Sequence, residues 1–432
     1  MNFRRIYWEE LFLNSLLCFP PRIKEAVNSA EEILLNQEKV LRKISESNHA
    51  KILNAFQTEH VTSYHLHGST GYGLGDSGRE VLDRVMARIL GTEAALVRGQ
   101  FVSGTHAIAS ALFGVLRPGD HIISITGNPY DTLEEVIGIR GGGQGSLRDF
   151  GITYDSIPLS ETGQISYDLL GQALHSYPRM LLVQRSRGYA WRKSLTVNQI
   201  ESLVKFVKST HPNTLIFVDN CYGELVETRE PGDIGVDLMA GSLIKNLGGS
   251  LAPTGGYVAG NKDLVELAAQ RLTAPGIGSE VGATLEWQRL FFQGLFFSPL
   301  TVMESIKGAI FSAGFWQALG FEVNPAPSEI RTDLIQAVRL GSRDKMIAFC
   351  QGLQKGSPID SHVIPIPSGM PGYEDEVIMA GGTFIQGSTS EFSADGPSRE
   401  PFIVYQQGGI SHSYIKMGNI LAAQNLFEKG LL

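Results

Sequence analysis

The sequence is poor in cysteine, has no strong charge bias and contains no long apolar run, and each shortage excludes a class of protein. Its three cysteines, Cys18, Cys221 and Cys350, are too few and too scattered for a disulfide framework or a four-cysteine zinc site. A formal charge of -8 without a basic stripe argues against nucleic acid as a partner. The longest uncharged apolar stretch, 290–303, is shorter than the roughly 20 residues that cross a bilayer. These features predict a cytoplasmic protein with reduced cysteines and no membrane partner.

The residues that are present indicate a folded α/β protein. Hydrophobic residues make up 43% of the 432 positions and charged residues 19%, which is typical of a globular chain. Short apolar runs, HIISI at 121–125, RMLLV at 179–183 and TLIFVD at 214–219, alternate with amphipathic stretches such as 197–209. Strands that alternate with helices predict a mostly parallel sheet with crossover helices.

The pattern changes after Pro299. A long helical segment is followed by an apolar run at 363–366, an extended stretch at 377–392, the apolar run PFIVY at 401–405 and a helical stretch near 412–428. Strands that pair locally, with helices beside them, predict a smaller α+β domain.

The chain therefore divides into three predicted units. Apolar residues at helical spacing over 21–58 predict a helical arm ahead of the main domain. The predicted units are an N-terminal helical arm (1–60), a large α/β domain (61–300) and a C-terminal α+β domain (301–432).

One glycine pattern satisfies the spacing of a dinucleotide-binding turn without its context. Gly73, Gly75 and Gly78 fit G-x-G-x-x-G. That turn needs a buried strand before it, so that the pyrophosphate can rest on the N-terminus of the following helix. The preceding stretch is the polar TSYHLHGST, which argues against nicotinamide binding.

Asp219 and Lys245 form a more informative pair. Asp219 ends a predicted buried strand, at the edge where ligands gather in open α/β sheets. Lys245 lies in the glycine-rich GSLIKNLGG. Either Lys245 is an ordinary surface lysine, or it bonds to the aldehyde of pyridoxal phosphate while Asp219 keeps the pyridine nitrogen protonated.

The strings around these residues resemble a known family. DNCYGE followed by GSLIKNLGGSLAPTGGYVAG resembles the cofactor region of fold-type I pyridoxal phosphate enzymes, particularly the cystathionine and methionine lyase group. Asp219 and Asn220 match the Asp-Asn pair of that group, and Ser242 and Lys245 match its Ser-x-x-Lys. With RGQFVSGTHAI and ADGPSREPFIVYQQGG, the chain from about residue 20 to its end resembles the methionine gamma-lyase-like proteins associated with aluminium resistance.

A phosphate site is predicted at the start of a helix. Ser103, Gly104 and Thr105 precede an alanine-rich helical stretch, where free backbone N–H groups and the helix dipole favour an anion. The alternative interpretation is an ordinary N-cap. Because this segment occurs together with Asp219, the phosphate interpretation is favoured. The Ser242 hydroxyl could bind the same phosphate.

The resemblance implies two further site residues. Tyr130 would stack on the pyridine ring and act as an acid/base group near the leaving sulfur; otherwise it is a half-buried turn residue. Arg399 would bind the substrate's α-carboxylate, for which a guanidinium is well shaped. The alternative for Arg399 is a surface salt bridge.

Other polar residues carry weaker expectations. The resemblance implies that Tyr72 and Arg79 reach the phosphate of a neighbouring subunit in a homodimer or homotetramer with shared active sites. Arg185 and Arg187 follow a strand where this fold often contacts cofactor or substrate. No metal site is expected from His65, His67 and His106, because no carboxylate or cysteine lies at ligand spacing.

The function that the resemblance implies is a carbon-sulfur lyase acting on a sulfur amino acid. Lys245 would remove the α-proton, and elimination would give a thiol, a keto acid and ammonia. Two alternatives remain, because Lys245 and Asp219 serve every branch of this chemistry. One is another pyridoxal phosphate reaction, by an aminotransferase or an aldolase, and the other is a cofactor-binding protein without efficient turnover.

Overall fold

The computed structural model describes residues 20–141, 144–160, 162–388 and 391–432. Cys18 and the first part of the predicted unit 1–60 lie outside these residues. The described chain contains two β-sheets with helices packed around them.

The larger sheet has seven strands. They are β1 (Ala94–Arg98), β2 (His121–Ser124), β3 (Thr153–Ser156), β4 (Met180–Gln184), β5 (Leu215–Asp219), β6 (Leu238–Ser242) and β7 (Gly256–Gly260). Their spatial order is β1-β7-β6-β5-β4-β2-β3. The strands from β6 to β3 run parallel, and β7 is antiparallel to both of its neighbours. The prediction of a mostly parallel α/β fold is confirmed.

Helices cover both faces of this sheet. The α-helices from residue 20 to residue 272 are α1 (Pro21–Thr58), α2 (Ser77–Leu90), α3 (Gly104–Val115), α4 (Asp131–Ile137), α5 (Tyr167–Leu174), α6 (Val197–Thr210) and α7 (Lys262–Leu272). Every residue of β4, β5, β6 and β7 is buried, which explains why RMLLV and TLIFVD are continuous apolar runs.

Within the described residues, the predicted N-terminal arm consists mainly of one helix, α1. α1 begins with Pro21, whose fixed φ suits the first helical position. It packs along α8 (Trp287–Ala318), and the Arg22 guanidinium donates to the Leu319 carbonyl at 2.8 Å. α8 runs without a break through residue 300, the expected domain boundary. No helix within the described ranges is long and apolar enough to cross a membrane.

The second sheet follows α8 and is antiparallel throughout. Its strands are β8 (Glu322–Asn324), β9 (Gln336–Arg339), β10 (Val377–Ala380), β11 (Ser393–Pro397) and β12 (Ile403–Gln407). Their order is β10-β11-β12-β9-β8. The helix α9 (Arg343–Lys355) packs on β10 and β11, and α10 (His412–Glu428) packs against α9 and α8. The apolar run at 363–366 is not a strand: Ile364 and Ile366 are exposed, and Pro365 has no N–H to donate to a ladder.

Candidate active site

A cavity of about 490 Å³ lies between the two sheets. The large sheet contributes the segments that follow the carboxyl ends of β2, β4, β5 and β6, and the small sheet contributes residues of β10, β11 and β12. The carboxyl ends of parallel strands meet at one edge of a sheet, so residues far apart in sequence converge there.

Asp219 and Lys245 both line this cavity. β5 and β6 are adjacent and parallel, so Asp219, the last residue of β5, lies beside the segment that leaves β6 toward Lys245. The Lys245 Nζ atom donates to the Gly387 carbonyl at 3.2 Å and lies 4.7 Å from the centre of the Tyr222 ring. Burial lowers the pKa of Lys245, which favours the neutral, nucleophilic amine.

The Asp219 carboxylate is held in place and shielded from water. Its Oδ1 atom accepts a hydrogen bond from the Cys221 N–H at 3.1 Å, and the residue is 4% exposed. Burial raises the pKa of Asp219 to about 6, so the group is mostly ionised at neutral pH. A buried carboxylate of this kind favours a cationic partner in the cavity.

The start of α3 (103–105) lies close to Ser242 at the end of β6, and these residues are called the cradle. Ser103 is the N-cap and accepts from the His106 N–H at 3.1 Å, so the N-cap that the alternative interpretation expected is present. A Cβ at Gly104 would lie 3.2 Å from the Ser242 Cβ and 3.3 Å from the Cys221 Sγ. Glycine thus lets the helix N-terminus approach β6 closely. The Ser242 Oγ atom is buried and has no hydrogen-bond partner within the described residues, which leaves it available to a bound anion.

Tyr130 lies beside this cradle, immediately before α4. Its hydroxyl lies 3.1 Å from the Thr105 Oγ1 atom, and its backbone N–H donates to the Gln184 side chain at 3.0 Å. Burial raises the pKa of Tyr130 well above its ordinary value. The phenol therefore stays protonated and is a proton donor at neutral pH.

Arg399 is not brought into the cavity lining. Its guanidinium pairs with the Asp375 carboxylate at 2.8 Å, and 47% of its side chain is exposed. This is the salt bridge that the alternative interpretation expected. Binding of a substrate carboxylate by Arg399 would require Asp375 to release it.

Arg185 and Arg187 also lie outside the lining. Arg185 is fully buried; it donates to the Asn220 side chain at 2.7 Å and pairs with Glu227 at 2.7 Å. Arg187 is buried as well and donates to the Asn324 carbonyl at 2.7 Å. Both guanidinium groups are held by internal acceptors, and neither side chain lines the cavity.

Arg79 is likewise committed within its own chain. It is 1% exposed and donates to the carbonyls of Gly73, Gly282 and Glu280 at 2.8, 2.9 and 3.0 Å. These contacts argue against a role for Arg79 in a neighbouring subunit. Tyr72, by contrast, is 79% exposed and can reach another molecule.

The sequence analysis missed the contribution of the small sheet. Asp395 lines the cavity from β11, and Tyr373 and Tyr405 line it nearby. Asp395 is buried within β11, whose sequence SADGP has no apolar run to mark it as a core strand. Tyr189 and Tyr222 carried no signal either, because their place in the cavity depends on how the two sheets pack.

This arrangement defines a class of protein. A seven-stranded sheet of this order, with a smaller antiparallel sheet closing the cavity at its carboxyl edge, is the architecture of fold-type I pyridoxal phosphate-dependent proteins. Asp219 and Lys245 both lie at that edge.

Comparison with known proteins gives the family. A model of the methionine gamma-lyase family matches residues 23–427. YnbB of Bacillus subtilis is 49% identical over 411 residues, which cover 95% of this chain and 98% of YnbB. A carbon-sulfur lyase involved in aluminum resistance, from Clostridium novyi NT, has 47% identity and a TM-score of 0.90 over 94% of this chain and 96% of that one. The chain belongs to the methionine gamma-lyase family, whose enzymes use pyridoxal phosphate, as the resemblance implied.

Proposed function

We propose that the protein is a pyridoxal phosphate-dependent carbon-sulfur lyase that acts on a sulfur amino acid and releases a thiol, a keto acid and ammonia. The observation that carries the proposal is the convergence of Lys245, Asp219 and the α3 N-terminus in one cavity. These groups match the three chemically distinct parts of the cofactor: aldehyde, pyridine nitrogen and phosphate.

The residues present fit this cofactor. The N–H groups at the start of α3 and the buried Ser242 hydroxyl suit the phosphate. The ionised Asp219 suits a protonated ring nitrogen, the Lys245 amine suits the aldehyde, and the Tyr130 ring offers a face for stacking. The site thus offers an acceptor for the cationic part of the cofactor and donors for its anionic part.

The chemistry divides between the cofactor and the chain. When bound, pyridoxal phosphate withdraws electrons from the substrate's α-carbon. Lys245 takes the α-proton, for which its lowered pKa prepares it. Tyr130, kept protonated by burial, gives a proton to the departing sulfur. Asp219 holds the ring nitrogen protonated and does not touch the substrate.

Three further expectations belong to this proposal. A second copy of the chain would complete the site, with the exposed Tyr72 reaching its phosphate, in a homodimer or homotetramer. Arg399 would bind the substrate carboxylate once it leaves Asp375. The cytoplasm suits the described cysteines, Cys221 and Cys350, which are unbridged.

The test combines labelling with product analysis. We expect the purified protein, supplied with pyridoxal phosphate, to show a visible absorbance band, and borohydride reduction followed by peptide mapping to find the adduct on Lys245. Incubation with cystathionine or methionine should release ammonia and a free thiol. A reduced adduct on another lysine would refute the site. Amino transfer to an added keto acid would favour an aminotransferase. Formation of glycine and an aldehyde from a β-hydroxy amino acid would favour an aldolase. A coloured protein that consumes no substrate would favour a binding protein without efficient turnover.

Ser242→Ala tests the phosphate cradle. Loss of one hydrogen bond to a charged group, worth about 1.5 to 3 kcal/mol, should raise the Kd for pyridoxal phosphate about 10- to 100-fold. The apo-protein should change little in melting temperature, since Ser242 bonds to no described residue. The measurement is a fluorescence titration of apo-protein with cofactor. The control is Ser202→Ala, an exposed serine of α6, and equal affinities in the two variants would contradict the role of Ser242.

A further inference from the structure

Tyr222 adopts a backbone conformation that a bulky side chain disfavours. Its φ is 69°, in the left-handed region that glycine adopts most readily. Contacts nearby hold the turn in this shape: the Leu225 N–H donates to the Glu230 side chain at 2.8 Å, and the Asn48 side chain donates to the Leu225 carbonyl at 2.7 Å. Backbone strain of this kind clusters at functional sites, so the position of the Tyr222 ring calls for an explanation.

The Tyr222 ring lies in the cavity beside the amine of Lys245. The Lys245 Nζ atom lies over the ring, 4.7 Å from its centre, which is within the distance at which an aromatic face attracts a cation. The ring also packs against the apolar cluster of the small sheet that contains Ile335 and Tyr405. Because Tyr222 follows β5 of the large sheet, both sheets fix the position of its ring.

Several titratable groups act on Lys245 besides this ring. Burial is the largest influence and lowers the pKa of the amine. The groups that surround it are Asp219, Cys221, Glu224, Tyr373 and Asp395. Burial raises the pKa of the two aspartates to about 6 and of the glutamate to about 8, and it keeps the thiol and the phenol protonated. Of these five groups, the two aspartates are the ones mostly ionised at neutral pH.

An aromatic face suits a base that has to hold a proton for part of a reaction. A carboxylate beside an ammonium group can take its proton. The Tyr222 face and the Gly387 carbonyl, which accepts from the Lys245 Nζ atom at 3.2 Å, attract the charge and leave the proton on the nitrogen. Under the proposed function Asp219 is engaged by the ring nitrogen of the cofactor, so its charge is shared.

We propose that Tyr222 is a positioning residue for Lys245, whose ring face stabilises the ammonium form of the lysine while it holds the substrate's α-proton. The proton moves from the α-carbon to the Nζ atom, and the electron pair of the C–H bond stays with the substrate. The ring makes and breaks no bond. This inference rests on the proposed function and deepens it, because it names a group that sets the pH range in which Lys245 works.

A pair of substitutions separates the ring face from the rest of the side chain. Tyr222→Phe keeps the face, Tyr222→Leu removes it, and both keep a Cβ at the same strained position. In the full-length protein without cofactor, competitive acylation by trace acetic anhydride and peptide mapping give the pH at which Lys245 is half protonated. Losing a group that stabilises the ammonium form lowers this midpoint. We expect a decrease of about 0.4 to 1.5 pH units in Tyr222→Leu, equivalent to one cation–π contact, and almost none in Tyr222→Phe.

The matched control is Tyr177→Leu. Tyr177 is exposed, its φ is also positive at 50°, and its ring contacts His211 rather than the cavity. Its replacement should leave the Lys245 midpoint unchanged. Should thermal melting show that Tyr222→Leu does not fold, fluorinated phenylalanines incorporated at position 222 keep the shape of the ring. Each added fluorine withdraws electrons from the ring face, so the midpoint should fall stepwise with the number of fluorines.

The holoenzyme gives an independent measurement. The base must be neutral before it takes a proton, so the rising limb of the kcat–pH profile should move to lower pH in Tyr222→Leu by the same amount. A shifted midpoint in the cofactor-free protein supports the inference even if no thiol is released, in which case the lyase proposal alone fails.

Three results would overturn the inference and leave the lyase proposal intact. The first is an unchanged Lys245 midpoint in Tyr222→Leu or across the fluorinated series. The second is an equal shift in Tyr222→Phe, which would assign the effect to the hydroxyl. The third is a loss of kcat in Tyr222→Leu with an unchanged pH profile, which is the result expected of a purely structural role.

Discussion

Lys245→Ala is expected to lower the rate of elimination by about 100- to 10,000-fold, the usual contribution of a positioned general base. The variant should also lose the borohydride-stable adduct, because alanine has no amine to bond with the cofactor. The measurement is thiol release under saturating substrate, with peptide mapping of the reduced protein. The Lys245 side chain donates to Gly387, so thermal melting should accompany the assay to confirm that the fold survives.

The matched control for this prediction is Lys262→Ala. Lys262 is an exposed lysine at the start of α7. It should keep wild-type activity and the adduct on Lys245. A Lys245→Ala protein that still releases thiol at the wild-type rate would show that the base is another group, and the assignment of the whole site would fail with it.

Asp219→Asn is expected to reduce kcat by about 100- to 1,000-fold, as for removal of one preorganised electrostatic group. Asparagine can still accept the Cys221 N–H through its side-chain oxygen, so the local geometry should persist while the negative charge is lost. Without that charge the ring nitrogen is less readily protonated, and the cofactor withdraws electrons less strongly. The measurements are kcat with each substrate and the position of the cofactor absorbance band.

Two observations would distinguish this expected loss of activity from a general loss of structure. The cofactor should still form its bond to Lys245 in Asp219→Asn, because the lysine is untouched. Asp263→Asn, at an exposed aspartate in the first turn of α7, should behave like the wild-type protein. If Asp219→Asn retained kcat within about threefold of the wild type, against the loss expected for such a group, Asp219 would not be the partner of the ring nitrogen.

The large domain could be predicted from the sequence because its strands are buried on both faces. Continuous apolar runs such as those of β4 and β5 leave few alternatives, and the polar residue that ends β5 then marks the ligand edge. For the same reason the sequence nominated Asp219, Ser103 and Lys245, and all three line one cavity.

The arginines were harder to place, because the sequence does not show which carboxylate or carbonyl a long cationic side chain will meet. Arg185 and Arg399 each follow a segment that reaches the site, and Arg79 was expected there from the resemblance, yet each is held by acceptors outside the cavity lining. Arg185 depends on Glu227 and Arg399 on Asp375, 42 and 24 positions away along the chain. Such pairs form only when distant segments pack together.

The sequence by itself determined the α/β class, the family and the residues at the carboxyl edge of the large sheet, since local hydrophobic pattern and short motifs encode them. Only the tertiary structure decided what faces that edge. Asp395 and the tyrosines beside it come from different strands and loops, and the packing of the second sheet against the first brings them together. The charge and shape of the cavity depend on contacts between segments that are remote in sequence, and no local pattern records those contacts.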